Sequence, residues 1–329
     1  MSRSVRMADI AEKLGISIVS VSKGLSGKDG VSEEMRAKII ATAKELGYEP
    51  PAPKAAAQER TENIGILVPD YFFEESAFYS SLYRAVINRS TALGYACLME
   101  LVSLEAERAC TLPNLITQNK VDALILMGEF DHEYITAVTK RGLPYVLLDF
   151  YDTNLDSDCV IGDKITGGYT LTKHLLDTGR KNIGFVGSIN ATTSIMDRYL
   201  GYTRALFQAG IEPNPAWRVE DRGSDRKLIP LVLPETMPEA FVCNNDEVAF
   251  RLVECLNQAG YSVPDDVAVV GYDDYRFSTI CRPQLTTYHV SIEEMAAAAL
   301  ECIQRKFSNL PSATSTHIIP GAFVLRDST

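Results

Sequence analysis

Residues 7–25, MADIAEKLGISIVSVSKGL, predict two short helices joined by a tight turn. Apolar residues recur at helical spacing in the first helix and give it one buried stripe. Gly15 follows this helix directly, where a helix that ends in a left-handed cap favours glycine. Ser17 can cap the second helix with its side-chain oxygen, and Val21 and Leu25 give that helix a buried face. The stretch therefore predicts a helix–turn–helix unit.

The opposite face of the second helix carries small, hydroxylated and cationic side chains. Serines can reach phosphates, a cation such as Lys23 can reach guanine, and Ile18 or Val19 can touch a thymine methyl. This face therefore suits a helix that lies in a DNA major groove. Residues 30–34, GVSEE, begin a third helix with a capping signal. The alternative for this segment alone is a three-helix bundle that docks on another protein.

Several stretches of the N-terminal segment match one known pattern, namely residues 8–11 (ADIA), 15–17 (GIS), 20–23 (SVSK), 31–32 (VS) and 45–50 (ELGYEP). Together they resemble the head-piece of the LacI/GalR family of transcriptional regulators. The resemblance implies contacts with double-stranded operator DNA, for which the candidate residues are Arg6, Met7, Ser17, Ile18, Val19, Ser20, Ser22, Lys23, Ser32 and Ala57. Lys23 stands where the family usually has arginine, and lysine lacks the planar two-pronged fork of that side chain.

Residues 49–62, EPPAPKAAAQERTE, mark a break in composition. On composition alone this segment is a flexible linker. The family resemblance implies instead a hinge helix that orders on the operator and pushes a leucine into the minor groove. That leucine aligns with Ala57 here, and Pro51 and Pro53 replace residues that are compatible with a helix. We therefore expect this protein to bend DNA less than its relatives do.

The formal net charge of −11 is unevenly distributed along the 329 residues. Residues 1–60 contain 10 Lys and Arg against 8 Asp and Glu, whereas the rest of the chain contains 22 against 35. DNA binding requires such local positive charge rather than a basic protein as a whole. Seven dispersed cysteines without C-x-x-C spacing predict a reducing compartment. Because no signal peptide and no apolar run of about 20 residues is found, we expect a cytoplasmic protein with no membrane partner.

From residue 63 onward, apolar strand patterns alternate with helical patterns, which predicts parallel sheets joined by right-handed crossovers. Strands are expected at 64–68, 96–101, 123–127, 145–148, 183–186, 240–242 and 267–272. Helices are expected at 78–93, 165–178, 198–209 and 246–259, with a short or irregular helix between 225 and 239. Motifs such as 183–187 (IGFVG), 270–273 (VGYD) and 282–287 (RPQLTT) resemble the periplasmic-binding-protein type 1 fold, which is the effector domain of the same family.

The predicted fold is thus an all-α helix–turn–helix head-piece followed by a two-lobed α/β domain with parallel sheets. The expected boundaries are 1–49 for the DNA-binding domain, 50–62 for the hinge, and 63–329 for the effector-binding and dimerisation domain. Family resemblance implies a homodimer, because the family is two-fold symmetric.

Ligands of open parallel sheets bind beyond the carboxyl ends of the strands, so residues that follow the strands are candidate contacts. Aromatic faces there pack on sugar C–H surfaces, while Asp, Asn and Arg bond to hydroxyl pairs. The candidate effector residues are Tyr71, Phe72, Glu129, Asp149, Arg198, Asn245 and Asp273, and the family resemblance favours the last four. Two alternatives stay open: Arg198, which we expect to open its helix, can pair with Asp197 or Asp273 instead, and Asp246 can cap a helix.

Enzymatic signatures such as a P-loop, H-E-x-x-H or G-x-S-x-G are absent from the sequence, and its four histidines lie far apart. We therefore predict no catalytic residues, no metal site and no cofactor. The predicted function is that of a transcriptional regulator that acts as a repressor and whose operator affinity is controlled by a small carbohydrate-like effector. The rival hypothesis is a cytoplasmic sugar-binding receptor without a DNA function, which would not need the helix–turn–helix.

Overall fold

The structure, a computed structural model, describes residues 7–25, 31–46, 48, 61, 63–75, 77–308 and 314–329. The chain divides into two compact units, residues 1–60 and residues 61–329. None of the helices in these described ranges is long and apolar enough to cross a membrane.

The first unit, called the head-piece below, contains α1 (Met7–Leu14), α2 (Ile18–Leu25) and α3 (Glu33–Leu46). Ile10, Val21 and Ile39, one from each helix, are completely buried and form the centre of its core. Gly15 has a φ of +64° at the end of α1, which confirms the predicted left-handed cap. Helices α2 and α3 pack so closely at Gly24 that a Cβ atom there would lie only 2.5 Å from Ile39 Cδ1.

The second unit alternates strands and helices. Its described strands are β1 (Asn63–Pro69), β2 (Ala96–Val102), β3 (Ala123–Met127), β4 (Tyr145–Leu148), β5 (Cys159–Gly162), β6 (Ile183–Val186), β7 (Arg218–Val219), β8 (Ala240–Cys243), β9 (Ala268–Val270), β10 (Thr287–His289), β11 (Thr316–Ile319) and β12 (Ala322–Val324). Its described helices are α4 (Asp70–Glu75), α5 (Ala77–Ala92), α6 (Leu104–Arg108), α7 (Asn114–Thr117), α8 (His132–Thr139), α9 (Lys164–Asp177), α10 (Thr193–Gln208), α11 (Asp246–Gln258), α12 (Arg276–Ile280) and α13 (Ile292–Phe307), with a short 3₁₀ helix at Pro215–Trp217.

Two parallel sheets organise these elements. The first sheet has the strand order β11-β5-β4-β3-β1-β2, and together with α4–α8 and α13 it forms the first lobe. The second sheet has the order β7-β6-β8-β9. Together with α9–α12 and the antiparallel pair formed by β10 and β12, it forms the second lobe. Every residue of β3, β6 and β8 is buried, as expected for parallel strands that are covered on both faces.

Helices α9 and α10 pack against each other in the second lobe, and two glycines permit their close approach. A Cβ atom on Gly168 would lie 2.2 Å from the carbonyl oxygen of Arg198, and one on Gly201 would lie 2.2 Å from that of Ile165. This approach fixes α10, the helix that carries Arg198, against the start of α9. The position of the candidate effector residue therefore depends on backbone packing behind it.

Most strand predictions are confirmed, and those for β3, β4 and β6 match residue by residue. The prediction that a helix starts at residue 198 is wrong, because α10 begins at Thr193 after Thr192 has capped it by accepting the N–H of Ile195 at 3.1 Å. The expected helix between 225 and 239 is also wrong: that segment has no helix, and Pro230 and Pro234 explain why. Strands β5 and β10–β12 were not predicted.

The seven cysteines all lie in the described ranges, and all are free thiols. Four are buried and three are half-buried, so they are spread through the packed interior of the second unit rather than paired. Burial raises the pKa of the thiols of Cys281 and Cys302 to about 11, which keeps them protonated and unreactive near neutral pH. These cysteines act as small apolar core residues.

Candidate functional site

The first candidate surface is the outward face of α2 in the head-piece. Ser22 and Lys23 are exposed, and Ile18 is 53% exposed although it is a large apolar side chain. On the opposite face, Val21 is completely buried against α1 and α3. One face of α2 therefore packs in the core of the head-piece. The other face presents a cation, a hydroxyl and a methyl-bearing side chain that can contact base edges in a groove.

Two of the predicted DNA-contacting serines cap helices. The Ser17 side-chain oxygen accepts the N–H of Ser20 at 3.1 Å, and Ser32 accepts the N–H of Met35 at 3.4 Å. Both serines directly precede their helices, α2 and α3, and both are exposed. They therefore lie where backbone N–H groups at a helix N-terminus also attract phosphates. Ser20 is half-buried and shares a hydroxyl–hydroxyl bond of 2.9 Å with Ser17.

The remaining predicted DNA contacts divide between the core and the part of the chain that is not described. Met7 is half-buried and packs against the head-piece core, which leaves only part of its side chain at the surface. Arg6, Ala57 and the side chain of Val19 lie outside the described residues, as does the whole proline-rich part of the predicted hinge. The predictions for these residues stay as they were made.

The second candidate site is a cavity of about 50 Å³ at the carboxyl ends of the two parallel sheets, between the lobes of the second unit. Six of the seven predicted effector residues line it, namely Tyr71, Phe72, Asp149, Arg198, Asn245 and Asp273. The lining residues that sequence reasoning missed are Phe78, Tyr79, Thr192, Ser194, Ile195, Arg222, Leu228, Asn244 and Glu247. The rule that ligands bind beyond the strand ends thus brings most of the candidates together.

Asp149 follows β4 with a φ of +71° and is held by a buried lysine from the other lobe. Lys164, the first residue of α9, bonds to the Asp149 carboxylate at 3.0 Å and to its carbonyl oxygen at 2.6 Å. The third donor of the ammonium group bonds to Ser194 at 2.5 Å. The other carboxylate oxygen of Asp149 accepts a hydrogen bond from the Tyr79 hydroxyl at 2.9 Å. Burial, and to a smaller extent the charge of this carboxylate, raise the pKa of Tyr79. Asp149 is therefore a fixed anion with its own counter-ion.

Arg198 lies in the second turn of α10 and not at its start, where it had been expected. Its guanidinium is buried over the Tyr272 ring, 4.0 Å from the ring centroid. One amino group donates to the Asn244 carbonyl at 2.8 Å, and the other lies 3.4 Å from the Asp273 carboxylate. The ion pair that the sequence left open is thus present with Asp273, and it stands inside the cavity.

Asp273 has a φ of +105°, a strained backbone conformation for a residue with a side chain. Burial raises the pKa of its carboxyl to about 7, although Arg198 opposes this shift. The second residue proposed as a partner of Arg198, Asp197, instead accepts the Tyr151 hydroxyl at 3.0 Å, and burial raises its pKa. Near neutral pH, the cavity therefore contains a carboxyl group that can change between accepting and donating a hydrogen bond.

The prediction for Glu129 needs correction, because its side chain does not line the cavity. Its carboxylate accepts both the N–H of Thr193 at 2.6 Å and the Thr193 hydroxyl at 2.7 Å, so it binds the first turn of α10 across the two lobes. The proposed cap also changes: Asn245 caps α11 by accepting the N–H of Val248 at 2.8 Å. Asp246 is buried and instead accepts the Thr287 hydroxyl at 2.6 Å.

Lys164 is the most informative residue that sequence reasoning missed. It comes two residues after β5, so the rule of strand ends would have found it had β5 been recognised. The strand consists of only four residues, CVIG, and such a short run gives no clear period. Tyr79 could not be found in this way, because it lies in α5 rather than after a strand.

Among the described residues, one further group could be considered for a metal ion. Ligand atoms of Asp158, Cys302 and His317 lie within 4.8 Å of one another. The Asp158 carboxylate, however, already bonds to Arg305 at 3.2 Å and to Lys306 at 2.8 Å. Two side-chain cations therefore occupy the place where a metal would compete, and this group is an ion-pair network at the edge of the first sheet.

The cavity offers both hydrogen-bonding groups and apolar faces to a small molecule. Its acidic and basic side chains largely have partners: Asp149 pairs with the buried Lys164, and Arg198 lies 3.4 Å from the Asp273 carboxylate. Such pairs offer many hydrogen-bond donors and acceptors without strong net charge, and aromatic rings from α4 and α5 supply apolar faces beside them. The arrangement suits an uncharged ligand with several hydroxyl groups.

Comparison with known proteins finds a matching family model for each of the two units. Residues 6–51 match the family model described as "Bacterial regulatory proteins, lacI family", and residues 172–329 match the model described as "Periplasmic binding protein-like domain". The chain is 28% identical to the ribose operon repressor of Haemophilus influenzae over 98% of each chain.

Two solved structures share the fold over nearly the whole length. The complex of the transcriptional regulator CelR with cellobiose has a TM-score of 0.72 at 22% identity, covering 99% of this chain and 100% of that one. The lac repressor dimer bound to operator and the anti-inducer ONPF has a TM-score of 0.69 at 22% identity, covering 99% of each chain.

Proposed function

The chain belongs to the LacI family of bacterial regulatory proteins, and we propose that it is a transcriptional repressor whose affinity for operator DNA is controlled by a small sugar-like effector. We propose a head-piece at 1–49, a hinge at 50–62 and an effector-binding and dimerisation domain at 63–329. The protein would act as a homodimer on a two-fold operator, in the cytoplasm, and without enzymatic activity.

The observation that carries the effector proposal is the convergence of Asp149, Arg198 and Asp273 with aromatic rings in one cavity between the lobes. Carboxylate, guanidinium and amide groups match the paired hydroxyls of a sugar, and the ring faces match its C–H surfaces. Named ligands of similar proteins agree with this class, since CelR was solved with cellobiose and another relative is a ribose operon repressor.

The mechanism we propose is a shift between open and closed arrangements of the two lobes. An effector that bonds to Asp149 in the first lobe and to Arg198 in the second stabilises the closed arrangement. In a dimer, the altered first lobes would change the spacing of the two head-pieces and thereby their fit to the two half-sites. Lys23 and Ile18 would then read base edges, while Ser17 and Ser32 would contact phosphates.

The test is an operator-release assay on the full-length protein. An operator is first selected from random DNA, and its binding is then followed by fluorescence anisotropy while mono- and disaccharides are added. We expect one class of sugar to change the anisotropy of the wild-type complex. Arg198→Lys keeps the charge but loses the fork, so it should need about 10- to 100-fold more of that sugar.

The matched control is Arg204→Ala, which removes an exposed arginine from the same helix α10. This variant should respond to the sugar as the wild type does. If Arg198→Lys also responds at wild-type sugar concentrations, Arg198 has only a structural role. If no selected DNA is bound at all, the repressor proposal itself is wrong.

A further inference from the structure

Residues 221–228, called the Arg226 arm below, overlap the beginning of the segment 225–239 in which a helix had been predicted. The arm leaves the second sheet just after β7 and turns back on itself through an antiparallel bridge between Arg222 and Leu228. The N–H of Gly223 donates to the Lys227 carbonyl at 2.9 Å, and the N–H of Arg226 donates back to the Gly223 carbonyl at 2.9 Å. Arg226 sits at the tip with a φ of +64°. The arm thus has a defined shape of its own.

The side chain of Arg226 crosses from the second lobe to three separate segments of the first. One amino group of its guanidinium donates to the Tyr71 hydroxyl oxygen in α4 at 2.7 Å and lies 3.6 Å from the Glu107 carboxylate in α6. The other bonds to the Asp131 carboxylate, just before α8, at 2.6 Å. A single side chain therefore ties the arm to α4, α6 and the start of α8. These contacts of Arg226 with Tyr71, Glu107 and Asp131 are called the Arg226 bridge below.

This bridge stands at the rim of the cavity. Arg222 and Leu228, the two roots of the arm, line the cavity, and so does Tyr71, which Arg226 contacts. The cavity volume of about 50 Å³ has room for only about four water molecules, at 10–15 Å³ for each. Any ring-shaped ligand must therefore displace the arm, or the lobe that carries it, in order to enter.

Electrostatics favour the shut position of the arm. Glu107 is buried, and burial raises the pKa of its carboxyl, while the neighbouring Arg226 lowers it again. One Glu107 oxygen accepts the N–H of Asp131 at 2.6 Å, and the other has no hydrogen-bond partner. When Arg226 moves away, this buried carboxylate loses the cation that faces it across the lobes, which opposes opening.

We propose that the Arg226 arm is the gate of the effector cavity and that the Arg226 bridge selects effectors by size. The gate closes again over a compact single-ring polyol, which does not extend into the position of the arm. A two-ring sugar extends into the position of the arm and keeps the bridge broken, so its binding lacks the energy of closure. This selection rests on the proposed function, because it takes the cavity to be the effector site.

The first experiment tests the gate without any ligand, on the full-length protein. Hydrogen–deuterium exchange is compared between wild type, Arg226→Met and Arg218→Met. Methionine keeps much of the apolar length of arginine but removes its charge and donors. Arg218 is a matched control, because it lies in β7 near the arm and its salt-bridge partner among the described residues is the exposed Glu220.

In Arg226→Met we expect backbone exchange at least about tenfold faster in the arm and in the peptides that contain Glu107 and Asp131. Arg218→Met should exchange as the wild type does. Asp131→Asn removes one partner at a half-exposed position and should change the same peptides in the same direction, so it serves if Arg226→Met does not fold. Unchanged exchange of these peptides in both bridge variants would overturn the gate.

The second experiment tests size selection by thermal shift with ribose and glucose against cellobiose and maltose. The wild type should bind a monosaccharide better than the disaccharides, and in Arg226→Met this preference should fall about tenfold. A wild type that prefers a disaccharide, or an unchanged preference in the variant, overturns size selection. If none of the sugars stabilises either protein, the proposed effector class fails, while the exchange experiment still decides whether the arm is a gate.

Discussion

The outward face of α2 and the cavity between the lobes both carry binding residues, yet they relate to the fold in opposite ways. Lys23 and Ser22 are exposed, and the head-piece core lies on the other side of the helix. In the cavity, by contrast, Asp149 and Arg198 are buried and already have partners inside the protein. The partner of Asp149 is Lys164, which is also buried and does not itself line the cavity. Binding and stability should therefore be separable on the head-piece and coupled in the cavity.

The largest effect that this comparison predicts is at Lys164. Lys164→Met leaves the Asp149 carboxylate buried without its counter-ion, so the free energy of unfolding should fall by about 3–5 kcal/mol. Urea denaturation followed by circular dichroism measures this loss. Because the cost comes from the unpaired charge, Asp149→Asn in the same chain should recover part of it.

The control for this variant is Lys173→Met on the same helix α9. Lys173 forms an exposed pair with Asp177 at 2.7 Å, so its loss should change the stability by at most about 0.5 kcal/mol. Equal stability of Lys164→Met and the wild type would mean that the cavity charges do not support the fold. The contrast between the two sites would then disappear.

The head-piece should behave in the opposite way. Lys23→Ala removes an exposed cation from the outward face of α2, so it should weaken operator binding by about 1–3 kcal/mol and leave the stability within about 0.5 kcal/mol. Lys38→Ala makes the same charge change on α3, where Lys38 pairs with Glu34, and provides the control. Anisotropy with the selected operator and thermal unfolding give the two values. A Lys23 variant that loses stability along with affinity would break the comparison from this side.

Sequence reasoning found the framework of the cavity because that framework follows from periodicity. Buried parallel strands appear as apolar runs, and residues that follow them, such as Tyr71, Asp149 and Asp273, must meet at one edge. The helix–turn–helix was predictable for a similar reason, since Gly15 and Ser17 mark the end and the start of helices locally. These parts of the fold depend on neighbours in sequence.

The parts that were missed depend on partners far away in the chain. Lys164 is explained by Asp149 and by Ser194, 15 and 30 residues away, and Arg226 by Asp131, 95 residues away. Glu129 had the correct position after β3, but the N-terminus of α10 takes its carboxylate. No local sequence pattern indicates such long-range pairs. The sequence therefore located the candidate residues, but it could not show which of them use their polar groups to bind other residues of the protein.

The last prediction concerns a change of stability with pH, which depends on the carboxyl group of Asp273. Its pKa is about 7 in the folded protein because burial outweighs Arg198, whereas in the unfolded chain it has the ordinary value of 3.8. Between these values the folded state keeps a proton that the unfolded state has lost. The group thus adds stability that is fully present below pH 4 and is lost as the pH rises to 7, by at most about 1.4 kcal/mol per pH unit.

Asp273→Asn removes this titration and fits the backbone, because asparagine tolerates a positive φ better than most residues. Urea denaturation at pH 5, 6 and 7 should therefore give a flatter decline of stability for the variant than for the wild type. Asp265→Asn, at an exposed position, should keep the wild-type slope. Parallel curves for Asp273→Asn and the wild type would mean that Arg198 keeps Asp273 ionised throughout, in which case the cavity residues form a fixed ion pair and the pH does not change their hydrogen bonding.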